Sequence, residues 1–173
     1  MRRLFVFLFL STFLVLPAAH AGSVRKASRP AAPALTLAQT VLRMPLAKGV
    51  SLEDAEQSMK LRANALNMKL VAELPLSRQV EAITGKPSRY ATIFQFCDAM
   101  TARQMLDYSL DFAAYLPCRI ALVEDEKGQG WVVMMDLNLL INAANLKPEL
   151  KAKAIEVRDM LENIMRAAAN GEL

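Results

Sequence analysis

The chain has 173 residues, of which 54% are hydrophobic and 22% are charged, and its formal net charge is +4. A chain of this length forms one ordinary domain with a core of its own, so neither a disulfide nor a metal is needed for stability. The one histidine, His20, lies in a segment that we expect to be removed. This excludes imidazole metal sites, histidine-based catalytic triads and ordinary haem ligation, and we predict no metal and no cofactor.

The N-terminus has the layout of a secretory signal peptide. Arg2 and Arg3 precede an apolar run over residues 4–16, and Ala19-His20-Ala21 supplies the small residues of a cleavage site. We predict cleavage after Ala21, which places the mature protein in the periplasm or outside the cell, with no membrane attachment. The run is shorter than the roughly 20 apolar residues of a membrane-spanning helix, which disfavours an uncleaved anchor. Ordinary export is favoured over the twin-arginine route, because the polar leader of a twin-arginine signal is missing.

Residues 22–39 are rich in alanine, proline and small polar residues, and we predict a flexible linker there. Removal of the signal peptide takes its two arginines with it and lowers the net charge from +4 to +2. The only basic cluster, Arg25, Lys26 and Arg29, lies in the linker. Nucleic acid is therefore not expected as a partner.

The folded region begins with a strand over residues 40–47, in which Pro45 favours an edge position. Ser51 caps the next helix, whose apolar side chains recur every three or four positions, namely Leu52, Ala55, Met59, Ala63 and Leu66. Residues 68–76 form the second strand, and Ser77 caps a short helix over residues 78–84.

The clearest strand pattern covers residues 89–97. Its alternation places the larger side chains on one face, namely Tyr90, Thr92, Phe94 and Phe96. Asp98 caps a helix that extends to about residue 111, and residues 117–136 form a β-hairpin. The hairpin loop at residues 126–130 is interpreted as a solvated turn, because it lacks the ligand spacing of a calcium site.

Two helices complete the predicted domain. Asp136 caps a helix over residues 137–144, and Pro148 precedes the final helix, over residues 149–168. The final helix is amphipathic, and packing on its own domain is favoured over a dimer interface. We assign residues 40–146 to an α+β domain and residues 147–173 to a C-terminal amphipathic helix.

Four passages resemble a known family, the domain of unknown function 302. They are the helix after GVSLEDA, the strand-to-helix passage IFQFCDAMTARQML, the hairpin YLPCRIALVEDEKGQGWVVMMDL and the short helix behind it. The run Leu116-Pro117-Cys118 is the most specific element, and the resemblance extends over residues 49–141. Many members have asparagine-proline where this chain has Cys97-Asp98, which restricts any role of Cys97 to a subgroup.

The resemblance implies a two-layer α+β sandwich with a curved, mainly antiparallel sheet and helices on one face, similar in outline to the TATA-binding-protein fold. It implies no activity, and it allows a homodimer. The residues alone suggest a parallel crossover between Cys97 and Cys118, which would separate the two cysteines too far for a disulfide. The antiparallel sheet of the family instead brings them to the same edge.

Three interpretations of the cysteines stay open. A structural disulfide between Cys97 and Cys118 is favoured, because export leads to an oxidising compartment. Two separate buried thiols and a functional thiol site are the alternatives. A helix N-terminus near Cys97 favours its thiolate, whereas Asp98 disfavours it, and Arg119 is expected on the face opposite Cys118. Without a histidine base, hydrolysis of the cysteine-protease type is excluded.

The candidate functional residues are Cys97, Asp98, Pro117, Cys118 and Arg119, and no catalytic role is assigned to any of them. Trp131 and the methionines are expected to serve packing rather than to form a pocket or a copper site. We expect an exported, non-enzymatic binding or interaction module whose partner is an unidentified small ligand or protein. The alternative is a thiol-dependent redox protein or enzyme that uses the two cysteines.

Overall fold

The structure is a computed structural model that describes residues 34–172. The predicted signal peptide and most of the predicted linker lie outside the described residues. Short 3₁₀ helices cover Leu37–Thr40 and Leu110–Ala114. The strands and α-helices, in chain order, are β1 (Val41–Pro45), α1 (Leu52–Ala65), β2 (Lys69–Leu74), α2 (Leu76–Thr84), β3 (Ala91–Cys97), α3 (Ala99–Tyr108), β4 (Cys118–Glu124), β5 (Gly130–Met135), α4 (Leu137–Ala143) and α5 (Pro148–Asn170).

The five strands form one sheet in the order β1-β5-β4-β3-β2, and every neighbouring pair is antiparallel. β4 is therefore the central strand, and β1 and β2 are the edges. Pro45 ends β1, where a missing N–H donor is tolerated because the strand has a neighbour on one side only. The α+β class and the two-layer architecture expected from the sequence are confirmed.

One face of the sheet carries the hydrophobic core. Phe94, Phe96, Ile120 and Leu122 alternate along β3 and β4 and are 0% exposed. Helices α1 and α5 pack together over this face, and α5 adds the fully buried Leu161 to the core. Each fully buried side chain of this size stabilises the fold by roughly 1.5–3 kcal/mol. The final helix thus packs on its own domain, as its amphipathic pattern favours.

The opposite face of the sheet lies outside this core. Of its side chains, Met135 alone packs against the core cluster within the part of the chain that the structure describes. We call this surface the open face; the side chains that the strand registers assign to it include Val41, Arg43, Pro45, Lys69, Ala72, Leu74, Ala91, Ile93, Gln95, Arg119, Ala121, Val123, Trp131, Val133 and Met135.

The helix caps follow the sequence closely. The Ser51 hydroxyl accepts a hydrogen bond from the Asp54 N–H, and Asp98 and Asp136 accept from the first turns of α3 and α4. Pro148 is at the start of α5, where its missing N–H has no helical partner to lose. Among residues 34–172, no helix has both the length and the apolar character needed to cross a bilayer.

Two predicted helix boundaries are wrong. Helix α2 begins at Leu76 after Pro75, so Ser77 is not its cap; the Ser77 hydroxyl donates instead to the carbonyl of Ala91 in β3, at 3.4 Å. Helix α3 ends at Tyr108 rather than near residue 111. Ser109 there adopts an extended backbone and its hydroxyl accepts from the Asp111 N–H, which starts the next 3₁₀ helix.

Candidate functional site

Two strand ends carry most of the candidate residues. β3 ends at Cys97, β4 begins at Cys118, and the antiparallel register pairs Phe96 with Cys118. The two cysteines therefore lie on neighbouring strands at one end of the sheet, which we call the cysteine end. The parallel crossover that the residues alone suggest is wrong, and the antiparallel order implied by the family resemblance is confirmed.

A small cavity of about 70 Å³ lies between the cysteine end and the helices. Helices α3, α4 and α5, together with the 3₁₀ helix at Leu110–Ala114, complete its wall. The wall is mostly apolar, and its residues are Met68, Phe96, Cys97, Asp98, Thr101, Ala102, Met105, Phe112, Tyr115, Leu116, Cys118, Leu137, Leu140, Ile141, Leu146, Ala154 and Val157.

The single carboxylate of this wall, Asp98, caps a helix. Asp98 Oδ1 accepts a hydrogen bond from the Thr101 N–H at 2.7 Å and so caps α3. Every other side chain of the wall is uncharged. An apolar cavity that stays dry accepts an apolar guest rather than water, because water needs several polar partners. The wall therefore suits a small apolar molecule.

Both thiols are shifted toward the protonated form. The pKa of Cys118 is raised to about 11, first by burial and then by the neighbouring Cys97, while Arg119 acts in the opposite direction. The pKa of Cys97 is also raised, by burial and by the charge of Asp98. The N-terminus of α3 lies next to Cys97 and favours the thiolate, but the pKa of Cys97 is raised nevertheless. Because the thiolate is the nucleophilic form, neither cysteine is activated at neutral pH.

The disulfide that the sequence favours is not formed in the structure, where Cys97 and Cys118 are both free thiols. Cys118 is paired in register with Phe96, so Cys97 lies one residue beyond that pair, at the end of β3. Both side chains line the same cavity. The disulfide stays a prediction for measurement.

The other two candidates flank the cavity without lining it. The Leu116–Pro117 peptide bond is cis and leads directly into Cys118. Arg119 is exposed and pairs with Gln95 on the open face, as strand alternation predicts. The structure thus places Cys97, Asp98 and Cys118 together on the cavity wall, whereas Pro117 and Arg119 do not line it.

The hairpin loop is closed by one carboxylate. The side chain of Asp125 accepts hydrogen bonds from the N–H groups of Lys127 and Gln129 and from Trp131 Nε1. These bonds hold the pKa of Asp125 below its usual value. The turn interpretation accounts for this loop, and no group of three or more His, Cys, Asp or Glu side chains within residues 34–172 is placed to hold a metal ion.

A polar cluster that the sequence did not reveal joins α1 to the sheet. The Tyr90 hydroxyl donates to Glu56 Oε2 at 2.7 Å, and Lys60 pairs with both Glu56 and Glu73 at 2.8 Å. Burial and the adjacent Glu56 raise the pKa of Tyr90 to about 12, although a hydrogen bond with Thr92 opposes this. The cluster connects α1 to β2 and to Tyr90, the residue before β3.

The residues of the cavity belong to a region that matches a known family model. The model described as domain of unknown function DUF302 matches residues 43–168. The chain belongs to the DUF302 family. The match begins within β1 and ends within α5, so it is wider than the resemblance over residues 49–141 and includes the final helix. A comparison with curated proteins gives no match.

A solved structure of another DUF302 protein has the same fold. It is the crystal structure of an uncharacterized conserved DUF302 protein from Bacillus stearothermophilus, with a TM-score of 0.62 and 15% sequence identity. The similarity covers 75% of this chain and 98% of that chain. At this identity the likeness shows the fold alone.

Proposed function

We propose that this DUF302 protein is an exported, non-catalytic module that binds a small apolar ligand in the cavity at the cysteine end. The cavity carries the proposal, because its wall combines apolar side chains from several elements with one carboxylate that already caps a helix. A volume of about 70 Å³ suits a guest of a few heavy atoms. The raised pKa values of Cys97 and Cys118 support binding over thiol chemistry.

Xenon is the simplest probe of such a cavity, because it enters dry apolar cavities without needing a polar partner. Met68 and Met105 line the wall, whereas Met100 is 73% exposed on α3. With [¹³C]methyl-labelled methionine, xenon pressure should shift the Met68 and Met105 signals in a saturable manner and leave the Met100 signal in place. Unchanged Met68 and Met105 signals would contradict the proposal.

A matched pair of variants on α3 controls this experiment. Ala102 lines the cavity, whereas Ala99 is an exposed residue that begins the same helix. Ala102→Leu should fill the cavity and abolish the xenon response, and Ala99→Leu should keep it. A response that survives Ala102→Leu unchanged would place the xenon site elsewhere.

Export is the second part of the proposal, and it rests on the signal-peptide pattern of residues 1–21. Mass spectrometry of the protein isolated from the periplasmic fraction should give a chain that begins at Gly22. Native spectra of the same sample should also reveal any retained ligand as added mass. A full-length chain confined to the cytosol would contradict export.

Thiol redox chemistry is the second candidate function. The observation that favours it is the position of Cys97 and Cys118 on neighbouring strands beside one cavity. It predicts at least one accessible, acidic thiol in the exported protein, whereas the binding proposal predicts two protonated ones. Titration of thiol reactivity against pH separates the two, since an apparent pKa below 8 would support redox chemistry.

A further inference from the structure

The cavity at the cysteine end is lined by four sulfur-bearing side chains, which are Met68, Cys97, Met105 and Cys118. Three of them come from the same end of neighbouring strands. Cys97 ends β3 and is paired in register with Lys69, which follows Met68 and begins β2. Cys118 begins β4, the neighbour of β3 on the other side. The antiparallel sheet therefore brings these residues together, although they are distant in sequence.

The fourth residue, Met105, belongs to α3, the helix that follows Cys97. Thr101, Ala102 and Met105 are three or four positions apart on one face of α3, and all three line the cavity. Both methionines are buried, since Met68 is 2% exposed and Met105 is 6% exposed. Little water therefore competes with the two thioethers for a bound ion.

The two cysteines lie close to each other. Cross-strand partners in an antiparallel sheet have Cα atoms about 4.5–5.5 Å apart, and successive residues have Cα atoms about 3.8 Å apart. Because Cys118 is paired with Phe96, the Cα atoms of Cys118 and Cys97 are roughly 6–7 Å apart. Burial is the first cause of the raised pKa of Cys118, and the proximity of Cys97 is the second. This spacing allows one ion to contact both sulfur atoms.

Sulfur ligands in an apolar wall select a soft metal ion. Thiolate and thioether sulfur suit Cu(I), whereas hard cations such as Mg²⁺ and Ca²⁺ require oxygen ligands. The single carboxylate of the wall, Asp98, already accepts a hydrogen bond from the Thr101 N–H. A single positive charge also fits the apolar surroundings, because the ion replaces one thiol proton and leaves the net charge of the cavity unchanged.

We propose that this cavity binds one soft monovalent metal ion, Cu(I) or its analogue Ag(I), through its four sulfur atoms. On binding, the S–H bond of one cysteine breaks, a sulfur–metal bond forms and the proton passes to the solvent. The other thiol and the two thioethers are neutral ligands. The site has no sequence motif, because its residues come from four separate elements. The proposal shares its cavity with the proposed function but needs no apolar guest, so the two can fail independently.

Silver(I) tests the site directly in the native chain. The protein is reduced, freed of reductant and titrated with Ag⁺ while the [¹³C]methyl signals of its methionines are recorded. One ion should bind per chain with the release of about one proton, and the Met68 and Met105 signals should shift. The Met100 signal should stay in place, since Met100 is 73% exposed on α3. Met68 and Met105 signals that do not shift on addition of one equivalent of Ag⁺ would overturn the proposal.

Conservative variants separate this site from simple capture of silver by two thiols. Met68→Leu and Met105→Leu keep the side-chain volume but remove a thioether, and each should raise the Ag⁺ dissociation constant at least about tenfold. Met59→Leu is the matched control, because Met59 is 0% exposed but does not line the cavity. It should bind Ag⁺ with native affinity. Native affinity in both Met68→Leu and Met105→Leu would overturn the proposal.

Competition experiments identify the class of ion. Cu(I) should compete with Ag⁺ for the cavity, as followed with a chromophoric Cu(I) chelator. Zn²⁺ favours four ligands drawn from thiolate, imidazole and carboxylate, so it should not displace Ag⁺. Displacement of Ag⁺ by an equal concentration of Zn²⁺ would overturn the assignment to a soft monovalent ion. A xenon response without silver binding would overturn this proposal alone, and silver binding without a xenon response would overturn only the apolar guest.

Discussion

Cys118 faces the helix layer beside Phe96, whereas Cys97 lies at the end of β3 next to Asp98. The sequence places Cys97 at the end of one predicted strand and Cys118 near the start of another, but it does not show how far either thiol is buried. Burial raises the pKa of both thiols, so the protonated form is favoured at neutral pH. The helix N-terminus, which would act in the other direction, is already occupied by the Asp98 carboxylate.

At the residue scale, we predict that Cys118 is alkylated slowly at pH 8. A pKa of about 11 in place of 9.0 lowers its thiolate fraction about 100-fold, and greater nucleophilicity restores only about tenfold of that. Iodoacetamide should therefore label Cys118 at least about tenfold more slowly in the native protein than in urea, as measured by peptide mass mapping. Labelling that requires prior reduction would instead reveal the disulfide.

The Asp98 carboxylate serves α3 as a cap and acts on Cys97 as a charge. Asp98→Ala should lower the free energy of unfolding by about 1 kcal/mol, because the Thr101 N–H loses its acceptor. Asp98→Asn keeps an acceptor but removes the charge, so it should retain most of the stability and accelerate the alkylation of Cys97. Urea unfolding and alkylation rates check both effects. Equal losses of stability in the two variants would contradict the cap.

At the element scale, helix starts could be predicted where one residue settles the local geometry. Ser51, Asp98, Asp136 and Pro148 each stand where an apolar period begins, and all four occupy the expected positions. The prediction that Ser77 caps α2 is wrong because its hydroxyl donates a hydrogen bond to a carbonyl of β3, a partner that is distant in sequence. Local pattern therefore predicts a boundary only when no tertiary partner competes for the same side chain.

A substitution in α5, the C-terminal helix, tests whether this helix is an integral part of the domain. Leu161 is 0% exposed between α1 and the sheet, so Leu161→Ala should lower the free energy of unfolding by about 2–5 kcal/mol. Leu61→Ala on the solvent side of α1 should change it by less than about 0.5 kcal/mol. Urea unfolding followed by circular dichroism measures both. A small loss for Leu161→Ala would indicate that α5 is an appendage.

At the scale of the whole molecule, the sequence predicts the individual strands and helices more readily than the cavity and the sheet surface that they form together. The alternation of Phe94 and Phe96 indicates which face of β3 is buried, but the cavity wall combines residues as distant as Met68 and Val157. No local period connects such positions. The open face can be identified only from the strand order, because its side chains come from five separate strands.

Two partly buried acids, Cys118 and Tyr90, should make the whole fold sensitive to alkali. Burial raises the pKa of Cys118 to about 11 and that of Tyr90 to about 12. Between pH 9 and 11 the unfolded chain releases the Cys118 proton while the native protein keeps it, so the free energy of unfolding falls as pH rises. The stabilisation is complete below pH 9, and about 2 kcal/mol of it is lost by pH 11 through Cys118 alone.

Urea unfolding at a series of pH values should give a constant free energy between pH 7 and 8.5 and a decline above pH 9. Cys118→Ala should be less stable throughout, because it enlarges the cavity, but it should decline less steeply between pH 9 and 11. Tyr90→Phe should lose the part of the decline that begins near pH 10, since phenylalanine does not ionise. If Cys118→Ala declines as steeply as the native protein, the Cys118 thiol does not set the alkaline limit of this fold.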